Sequence, residues 1–277
     1  MNPLIINVAV TGMVPTRADN QAVPMTPGEI AADCGRCFEA GASAFHLHAR
    51  DEEGQPTYRA DIYREIVLRV RERCPGAVIC VSTSGRVFSE FEQRAAVLSL
   101  DGDAKPDMAS LTLGSMNFPR QASVNEPDMI RALAEAMRQR GITPELEVFE
   151  LGMLDMAKFL IDRGVLAPPH YFNILLGSLG TLAATPLNLC RMVEGLPAGA
   201  TWAGAGIGRF QFPVNALAIT MGGNVRVGLE DALYLDAEKR EPATNLALVE
   251  RLATLARAAG REIATPALAR ELIGLPA

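Results

Sequence analysis

Alternation of short apolar runs with longer amphipathic stretches is the feature that most limits how this chain can fold. Eight runs are rich in β-branched, aromatic or other apolar residues, and they begin at Ile5, Ala44, Val78, Met108, Glu145, Tyr171, Thr201 and Val225. Strands separated by helices are expected to be parallel, with right-handed crossovers. Eight such units fit the 277 residues well, because a closed barrel needs about 250. The sequence therefore predicts a single-domain (β/α)8 (TIM) barrel over residues 1–277, in preference to an open doubly wound sheet.

Helix start signals agree with this alternation. Thr26, Pro27 and Glu29 supply an N-cap, a first-turn proline and the third-position glutamate of a capping box, and the following helix is expected to end at Gly41. Further helices are expected to open at Asp61, Glu126, Thr185, near Pro213 and at Thr244, with a short last helix over about 266–273.

Composition and charge exclude several classes of protein. The net charge of -6 lacks the basic footprint of nucleic-acid binding. The N-terminal MNPLIINVAVTG has no basic leading region, so it does not resemble a signal peptide. No apolar stretch reaches the roughly 18 residues that a membrane span requires. These features predict a cytoplasmic protein.

Two of the three histidines stand together as His46-x-His48, late in the second predicted strand. Alternate residues of a strand point to the same side, so both imidazoles face one way. Paired imidazoles suit zinc and similar metals, and the carboxyl ends of barrel strands are where chemistry occurs. The pair could also be two hydrogen-bonded polar residues at a strand end. His170, at the start of the sixth strand, belongs to the other end and is expected to be structural.

Carboxylates at the end of the eighth run complete a possible metal site. Glu230 and Asp231 follow the apolar VRVGL segment, and one of them can turn inward as a third ligand. Arg226 lies between two valines in the same strand, where an arginine is costly to bury without a partner. Asp231 is the natural partner, either as a polarised base or in a structural ion pair. The two carboxylates could alternatively cap a helix.

Hydroxyl and carboxyl groups on other strand ends are candidate substrate contacts. Ser82, Thr83 and Ser84 precede Gly85 at the end of the third strand, where they could bind a substrate oxygen or cap a helix. Glu145 and Glu147 share a face of the fifth strand, and Glu147 is nearer the active end.

Small residues end the seventh strand at Gly204, Gly206 and Gly208, followed by Arg209 and then a helix. Many barrels bind phosphate at this position with backbone amides and a helix N-terminus. The spacing does not match the dinucleotide-binding fingerprint. The sequence leaves two readings, an anion or coenzyme phosphate site and close packing of the backbone.

Several motifs together resemble the β-keto acid cleavage enzymes, over nearly the whole chain. They are VAVTG at Val8, EAGAS-x-x-H-x-HARD from Glu39, VSTSG at Val81, MASLTLGSMNF at Met108, PELEVFE at Pro144, ATW-x-x-AGIGR from Ala200 and GG-x-VRVGLED ending at Asp231. The resemblance implies a (β/α)8 barrel, usually a homotetramer. It also implies a retro-Claisen transfer in which a β-keto acid and acetyl-CoA give acetoacetate and a new acyl-CoA.

The same resemblance implies roles for individual residues. Zinc would be held at His46, His48 and Glu230. Arg226 and Asp231 would act as a basic dyad. A serine matching Ser82 would contact the substrate, and a hydroxyl near Thr112 would position the coenzyme or the reacting groups.

One position departs from the pattern of the amino-substrate members of this family. The glutamate that would meet a substrate ammonium group is matched here by Val14, which cannot pair with a cation. The sequence therefore predicts a β-keto acid with a less polar or differently charged tail, although Glu147 could still supply a negative charge. Two other readings of the residues stay open. They are a zinc-dependent aldolase or lyase that works without coenzyme A, and a metabolite-binding barrel without catalysis.

Overall fold

The computed structural model describes residues 2–276, and its centre is a closed barrel of eight parallel strands. The barrel strands are β1 (Ile6–Ala9), β2 (Ala44–Leu47), β3 (Val78–Val81), β4 (Met108–Thr112), β5 (Thr143–Val148), β6 (Tyr171–Leu176), β7 (Thr201–Gly206) and β8 (Asn224–Val227). Each strand pairs with its neighbours in the chain, and β8 closes the barrel against β1. This arrangement confirms the predicted (β/α)8 fold.

Helices surround the barrel. They are α1 (Pro27–Glu39), α2 (Ala60–Arg73), α3 (Phe91–Ala95), α4 (Pro127–Arg140), α5 (Leu151–Asp162), α6 (Pro186–Glu194), α7 (Gln211–Thr220), α8 (Asn245–Ala258) and α9 (Pro266–Ile273). Short 3-10 turns cover Ala96–Ser99, Gly102–Ala104 and Gly208–Phe210. The start signals in the sequence did not predict α3 or α5. Within residues 2–276, none of the helices combines the length and apolarity needed to cross a bilayer.

Two short antiparallel hairpins extend from the carboxyl ends of the strands. One pairs Ala49–Arg50 with Pro56–Thr57 after β2, and the other pairs Met116–Asn117 with Ala122–Ser123 after β4. Both therefore lie at the end of the barrel where the polar residues collect.

The amino end of the barrel is filled with apolar side chains. Ile5, Val78 and Tyr171 are buried there in one cluster with residues of α9, including Ala269 and Ile273. A second, larger cluster joins the outward faces of the strands to the surrounding helices. The closed amino end leaves the carboxyl end as the open mouth of the barrel.

The end of β8 differs from the prediction. The strand was expected to continue to Asp231, but it ends at Val227, and Gly228 has a φ of 146°. A Cβ atom on Gly228 would lie 2.1 Å from the carbonyl oxygen of Ala9, so only glycine fits this close approach. The backbone then turns, and the Glu230 amide donates to the same Ala9 oxygen at 3.1 Å. Strand alternation therefore no longer decides where Glu230 and Asp231 point.

The capping box at α1 supports a stability prediction. The Thr26 hydroxyl accepts from the Glu29 amide at 3.3 Å, and the Glu29 carboxylate accepts from the Thr26 amide at 3.0 Å. We expect Thr26→Ala to lower the free energy of unfolding by about 1 kcal/mol, because an amide at the helix start loses its acceptor. Urea unfolding of this variant would test the expectation. Thr26→Ser is the matched control, since it keeps the acceptor oxygen, and equal losses in both variants would contradict the capping explanation.

Candidate active site

Residues from opposite ends of the sequence meet at the mouth of the barrel between β1, β2 and β8. His46 lies in β2 and pairs in register with Ala9 of β1, and His48 follows β2 directly. Glu230 lies beyond β8, and Gly12 after β1 packs against its side chain. The parallel order β8-β1-β2 therefore brings together side chains that are 182 to 184 residues apart along the chain.

The two histidines and Glu230 have their ligand atoms within 4.8 Å of one another. The Nε2 atoms of His46 and His48 are 3.2 Å apart, and His48 Nε2 is 3.3 Å from Glu230 Oε1. Both histidines are buried. Two facing nitrogen lone pairs repel at this distance unless a proton or a metal ion lies between them.

Glu145 orients His46 from inside the barrel. Its Oε2 accepts from His46 Nδ1 at 2.6 Å, which leaves Nε2 of that ring facing His48. Burial lowers the pKa of His46, but the Glu145 and Glu230 carboxylates together outweigh it, so the pKa of His46 is raised. Burial also acts on His48 and lowers its pKa, because it outweighs the opposing influence of Glu230, 3.3 Å from Nε2. A carboxylate that fixes the ring orientation is the usual companion of a metal-binding histidine.

The donor set fits a divalent metal ion. Glu230 Oε2 is buried and has no hydrogen-bond partner among the described residues, so one ligand oxygen is free beside two imidazole nitrogens. Two imidazoles and a carboxylate suit zinc or a similar cation and leave coordination positions open. The assignment of His46, His48 and Glu230 as metal ligands stays a prediction that this geometry supports.

A second group, His46 with Cys80 and Glu145, is also compact enough to hold a metal ion. Its members already have partners: the Cys80 thiol donates to Glu145 Oε2 at 3.3 Å, and Asn7 Nδ2 donates to Oε1 at 2.8 Å. Burial raises the pKa of Cys80, which keeps the thiol protonated and unsuited to metal binding. We therefore interpret this group as support for His46.

Arg226 is buried at the centre of the site and contacts several carboxylates. Its Nε donates to Asp231 Oδ2 at 3.0 Å, its Nη1 to Glu147 Oε1 at 2.9 Å and its Nη2 to Glu230 Oε1 at 2.9 Å. Glu145 Oε2 is 3.9 Å from Nη1. The sequence predicted only Asp231 as the partner of Arg226, whereas the structure adds Glu147 and Glu230. Arg226 thus links the candidate metal ligand Glu230 to Asp231.

Asp231 is a candidate base. Burial raises its pKa, and the neighbouring Glu230 adds to this effect, so that together they outweigh the opposing influence of Arg226. A carboxylate with a raised pKa binds a proton more strongly and is better suited to take one from a weakly acidic carbon. The Arg226 guanidinium fixes its orientation.

Of the three hydroxyl residues that follow β3, Ser82, Thr83 and Ser84, not all can donate a hydrogen bond to a ligand. Thr83 Oγ1 donates to the Ser110 carbonyl at 2.6 Å, so this hydroxyl is already used within the protein. Ser82 Oγ accepts from the Ser84 amide at 3.2 Å and keeps its own hydrogen to donate. Gly85 packs against Arg94, whose Nη1 would lie 2.6 Å from an added Cβ atom. Ser82 and Ser84 are therefore the better candidates for substrate contacts.

Thr112, at the end of β4, donates to Glu147 Oε2 at 2.7 Å. With Arg226 on the other oxygen, Glu147 is held from both sides. Both residues thus belong to the network around Arg226.

Other predicted site residues lie around the rim or outside it. Val14 is 48% exposed on the loop after β1. Gly206 packs so closely that an added Cβ atom would lie 2.0 Å from the Phe210 carbonyl oxygen, which explains this glycine by packing. Arg209 is exposed, with its guanidinium 4.9 Å from the centre of the Phe210 ring. His170 immediately precedes β6 at the amino end, as predicted.

Sequence reasoning missed the contributions of Glu145, Arg50 and Arg86. Arg50 is buried and donates from Nη2 to the carbonyls of Gly12 at 2.7 Å and Pro15 at 2.9 Å, which fixes the loop that touches Glu230. The position of Glu145, two residues before Glu147 on the same strand face, was the available signal for its role. Arg86 lies two residues after Ser84, but nothing in the local sequence indicates which way its side chain points.

Comparison with known proteins decides the family. The family model described as beta-keto acid cleavage enzyme matches residues 3–275. The chain belongs to the β-keto acid cleavage enzyme family. A relative from Fusobacterium nucleatum subsp. nucleatum, named 3-keto-5-aminohexanoate cleavage enzyme, is 40% identical over 276 residues and matches 99% of both chains. The resemblance seen in the motifs is thereby confirmed.

The names of relatives in the β-keto acid cleavage enzyme family give different substrates. A relative from Cupriavidus necator, named 3-oxoadipate:acetyl-CoA acetyltransferase, is 38% identical and covers 99% of this chain and 95% of its own. Among solved structures, the apo form of ObcA has a TM-score of 0.80 at 23% identity, covering 92% of this chain. This chain spans 66% of that protein's length, and the likeness shows the shared fold.

Proposed function

We propose that this protein is a zinc-dependent β-keto acid cleavage enzyme that uses acetyl-CoA as its second substrate. The observation that carries the proposal is the placement of the His46–His48–Glu230 group beside the Arg226–Asp231 pair. Relatives with 38–40% identity over nearly the whole chain support it. The proposal includes one catalytic domain over residues 1–277, a homotetramer and a cytoplasmic location.

A divalent cation would be held by His46, His48 and Glu230, and would polarise the keto oxygen and stabilise negative charge that develops on it. The protein residues around it have separate tasks. Glu145 holds the His46 ring, Arg226 holds Asp231 in place, and Ser82 donates to a substrate oxygen.

The proposed reaction begins at the carbon between the keto and carboxylate groups of the β-keto acid. Asp231 takes a proton from this carbon, and the resulting carbanion attacks the carbonyl carbon of acetyl-CoA, which releases the coenzyme thiolate. The thiolate then attacks the original keto carbon. The bond between that carbon and the central carbon breaks, giving the new acyl-CoA and the acetoacetate carbanion, which takes the proton back from Asp231. Atoms and charge balance without an oxidant or reductant.

The substrate tail is the part that differs between relatives. Their names include a keto acid with an amino group, 3-keto-5-aminohexanoate, and a diacid, 3-oxoadipate. Val14 and the free hydroxyls of Ser82 and Ser84 lie on loops that could meet such a tail. Contacts of Thr83, Gly85, Thr112 and Glu147 with substrate, and of Gly206 and Arg209 with the coenzyme, stay predictions.

Purified protein should convert at least one β-keto acid to acetoacetate when acetyl-CoA is present and should show no turnover when acetyl-CoA is omitted. The assay would follow acetoacetate and acyl-CoA over a panel of β-keto acids with anionic, neutral and cationic tails. Cleavage that persists without acetyl-CoA would instead indicate an aldolase or lyase. Binding without turnover across the panel would indicate a metabolite-binding barrel.

A further inference from the structure

Arg86 is a cation that the proposed reaction does not use. It lies on the loop after β3, two residues beyond Ser84, whose hydroxyl accepts from the Arg86 amide at 3.3 Å. Its own carbonyl oxygen accepts from Gln121 Nε2 in the hairpin after β4 at 2.9 Å. The backbone of Arg86 is thus fixed between two loops at the mouth of the barrel.

The Arg86 side chain is also held in one place. The guanidinium carbon lies 3.6 Å from the centre of the Phe118 ring, and Phe118 packs edge-to-face on Phe149 with 5.7 Å between ring centres. Phe149 directly follows β5, the strand that carries Glu147. Stacking on an aromatic face orders an arginine without using any of its hydrogen-bond donors.

The donors of Arg86 have no partner within residues 2–276. Its guanidinium makes no hydrogen bond or ion pair there, although the side chain is partly buried. Three buried arginines near this mouth are engaged: Arg226 with carboxylates, Arg50 with loop carbonyls, and Arg94 with Thr83 O and Asn125 Oδ1. An ordered guanidinium with free donors is arranged for a planar anion.

Arg86 lies at the mouth of the barrel, on the loop that follows β3, within reach of the site's charges. Burial lowers the pKa of its guanidinium, while Glu230, Glu147 and Asp231 oppose this effect and Arg226 adds to it. These four residues form the centre of the candidate active site, and their charges act on the Arg86 guanidinium. Arg86 follows β3, and its stacking partner Phe118 packs on Phe149 after β5, so the guanidinium lies on the side of the mouth formed by β3 to β5.

We propose that Arg86 binds a second carboxylate at the end of the substrate tail, so that the preferred substrate is a β-keto diacid. This inference rests on the proposed function and names its substrate class. Val14, which cannot pair with a cationic tail, agrees with it. A coenzyme phosphate is less well matched, because Arg86 is partly buried over Phe118 inside the mouth, whereas the exposed Arg209 lies at the outer rim.

The test compares three β-keto acids of similar length at saturating acetyl-CoA: one with a terminal carboxylate, one with a methyl terminus and one with an amino group. We expect the wild-type protein to have the highest kcat/KM for the diacid. Arg86→Met should lower kcat/KM for the diacid by about 100-fold, because two charge-assisted hydrogen bonds are lost, and change the value for the neutral acid by less than about threefold. Arg86→Lys should fall between, since it keeps the charge without the planar pair of donors.

Two further measurements separate the alternatives. The KM for acetyl-CoA should be unchanged in Arg86→Met, and a rise with every substrate would overturn the proposal in favour of a coenzyme contact. An equal fall in kcat/KM for all three acids would also overturn it, because a merely structural role does not distinguish tails. Arg191→Met, an exposed arginine on α6, is the matched control for the loss of one positive charge.

Calorimetric measurement of diacid binding tests the role of Arg86 independently of whether the protein catalyses the proposed reaction. Wild-type protein should bind the diacid more tightly than Arg86→Met does, whether or not it turns the diacid over. Tighter binding without turnover of any β-keto acid would support the role of Arg86 and contradict the proposed activity. Equal binding by both proteins would overturn the role of Arg86 alone.

Discussion

Replacement of Glu230 by glutamine is expected to remove both the bound metal and the activity. The substitution keeps the size of the side chain but replaces its negative charge with a neutral amide. In the wild-type protein, a carboxylate oxygen of Glu230 lies 3.3 Å from His48 Nε2. Loss of a direct ligand should weaken metal binding by more than the roughly 10–100-fold that loss of an outer partner costs. Turnover should fall on the order of 10³-fold, since stabilisation of the developing negative charge is lost. Metal analysis after gel filtration and acetoacetate formation measure the two effects.

A matched control separates the loss of this proposed ligand from the general effect of removing one negative charge. Glu271→Gln changes an exposed glutamate in α9, at the closed end of the barrel, and should leave metal content and turnover unchanged. Added zinc should restore little activity to Glu230→Gln, whereas protein stripped by a chelator should recover fully. Retention of a full equivalent of metal by Glu230→Gln would show that His46, His48 and Glu230 are not the ligand set.

The barrel and two of the three proposed metal ligands follow from local patterns in the sequence. Eight β-rich runs with helices between them predict the strand order, because parallel strands with right-handed crossovers allow few other arrangements. His46 and His48 lie two residues apart on one strand, so their common direction is a property of the strand itself. The position of each strand end then places the polar residues at the mouth.

The network around Arg226 could not be predicted in the same way, because it depends on contacts across the barrel. Glu145 meets His46 from 99 residues away, and Glu147 meets Arg226 from 79 residues away. The directions of Glu230 and Asp231 depend on the turn at Gly228, which follows from its close approach to Ala9 rather than from strand alternation. Helix α5 escaped prediction because its start at Glu150 and Leu151 carries neither a favoured N-cap residue nor the first-turn proline that marks α4.

Replacement of Asp231 by asparagine is expected to abolish proton transfer while the metal stays bound. The amide oxygen can still accept from Arg226, and the backbone bond from the Gly208 amide to the Asp231 carbonyl at 2.7 Å is unaffected, so the loop should keep its shape. An asparagine cannot take a proton, and loss of a general base costs about 10²–10⁴-fold in rate. We expect kcat to fall by about 10³-fold while a full equivalent of metal is retained. Glu230→Gln, in contrast, is expected to lose the metal.

Isotope exchange isolates the step assigned to Asp231. Wild-type protein should exchange the hydrogens on the central carbon of a β-keto acid with deuterated solvent in the absence of acetyl-CoA, because that proton transfer precedes any contact with the coenzyme. Asp231→Asn should reduce exchange to the rate without enzyme, whereas Asp155→Asn, on the exposed face of α5, should exchange as the wild type does. If Asp231→Asn lost turnover but still exchanged hydrogens at the wild-type rate, Asp231 would act in a later step of the reaction. Since burial and Glu230 raise the pKa of Asp231, the exchange rate of the wild type should decline with falling pH at a higher pH than for an ordinary aspartate.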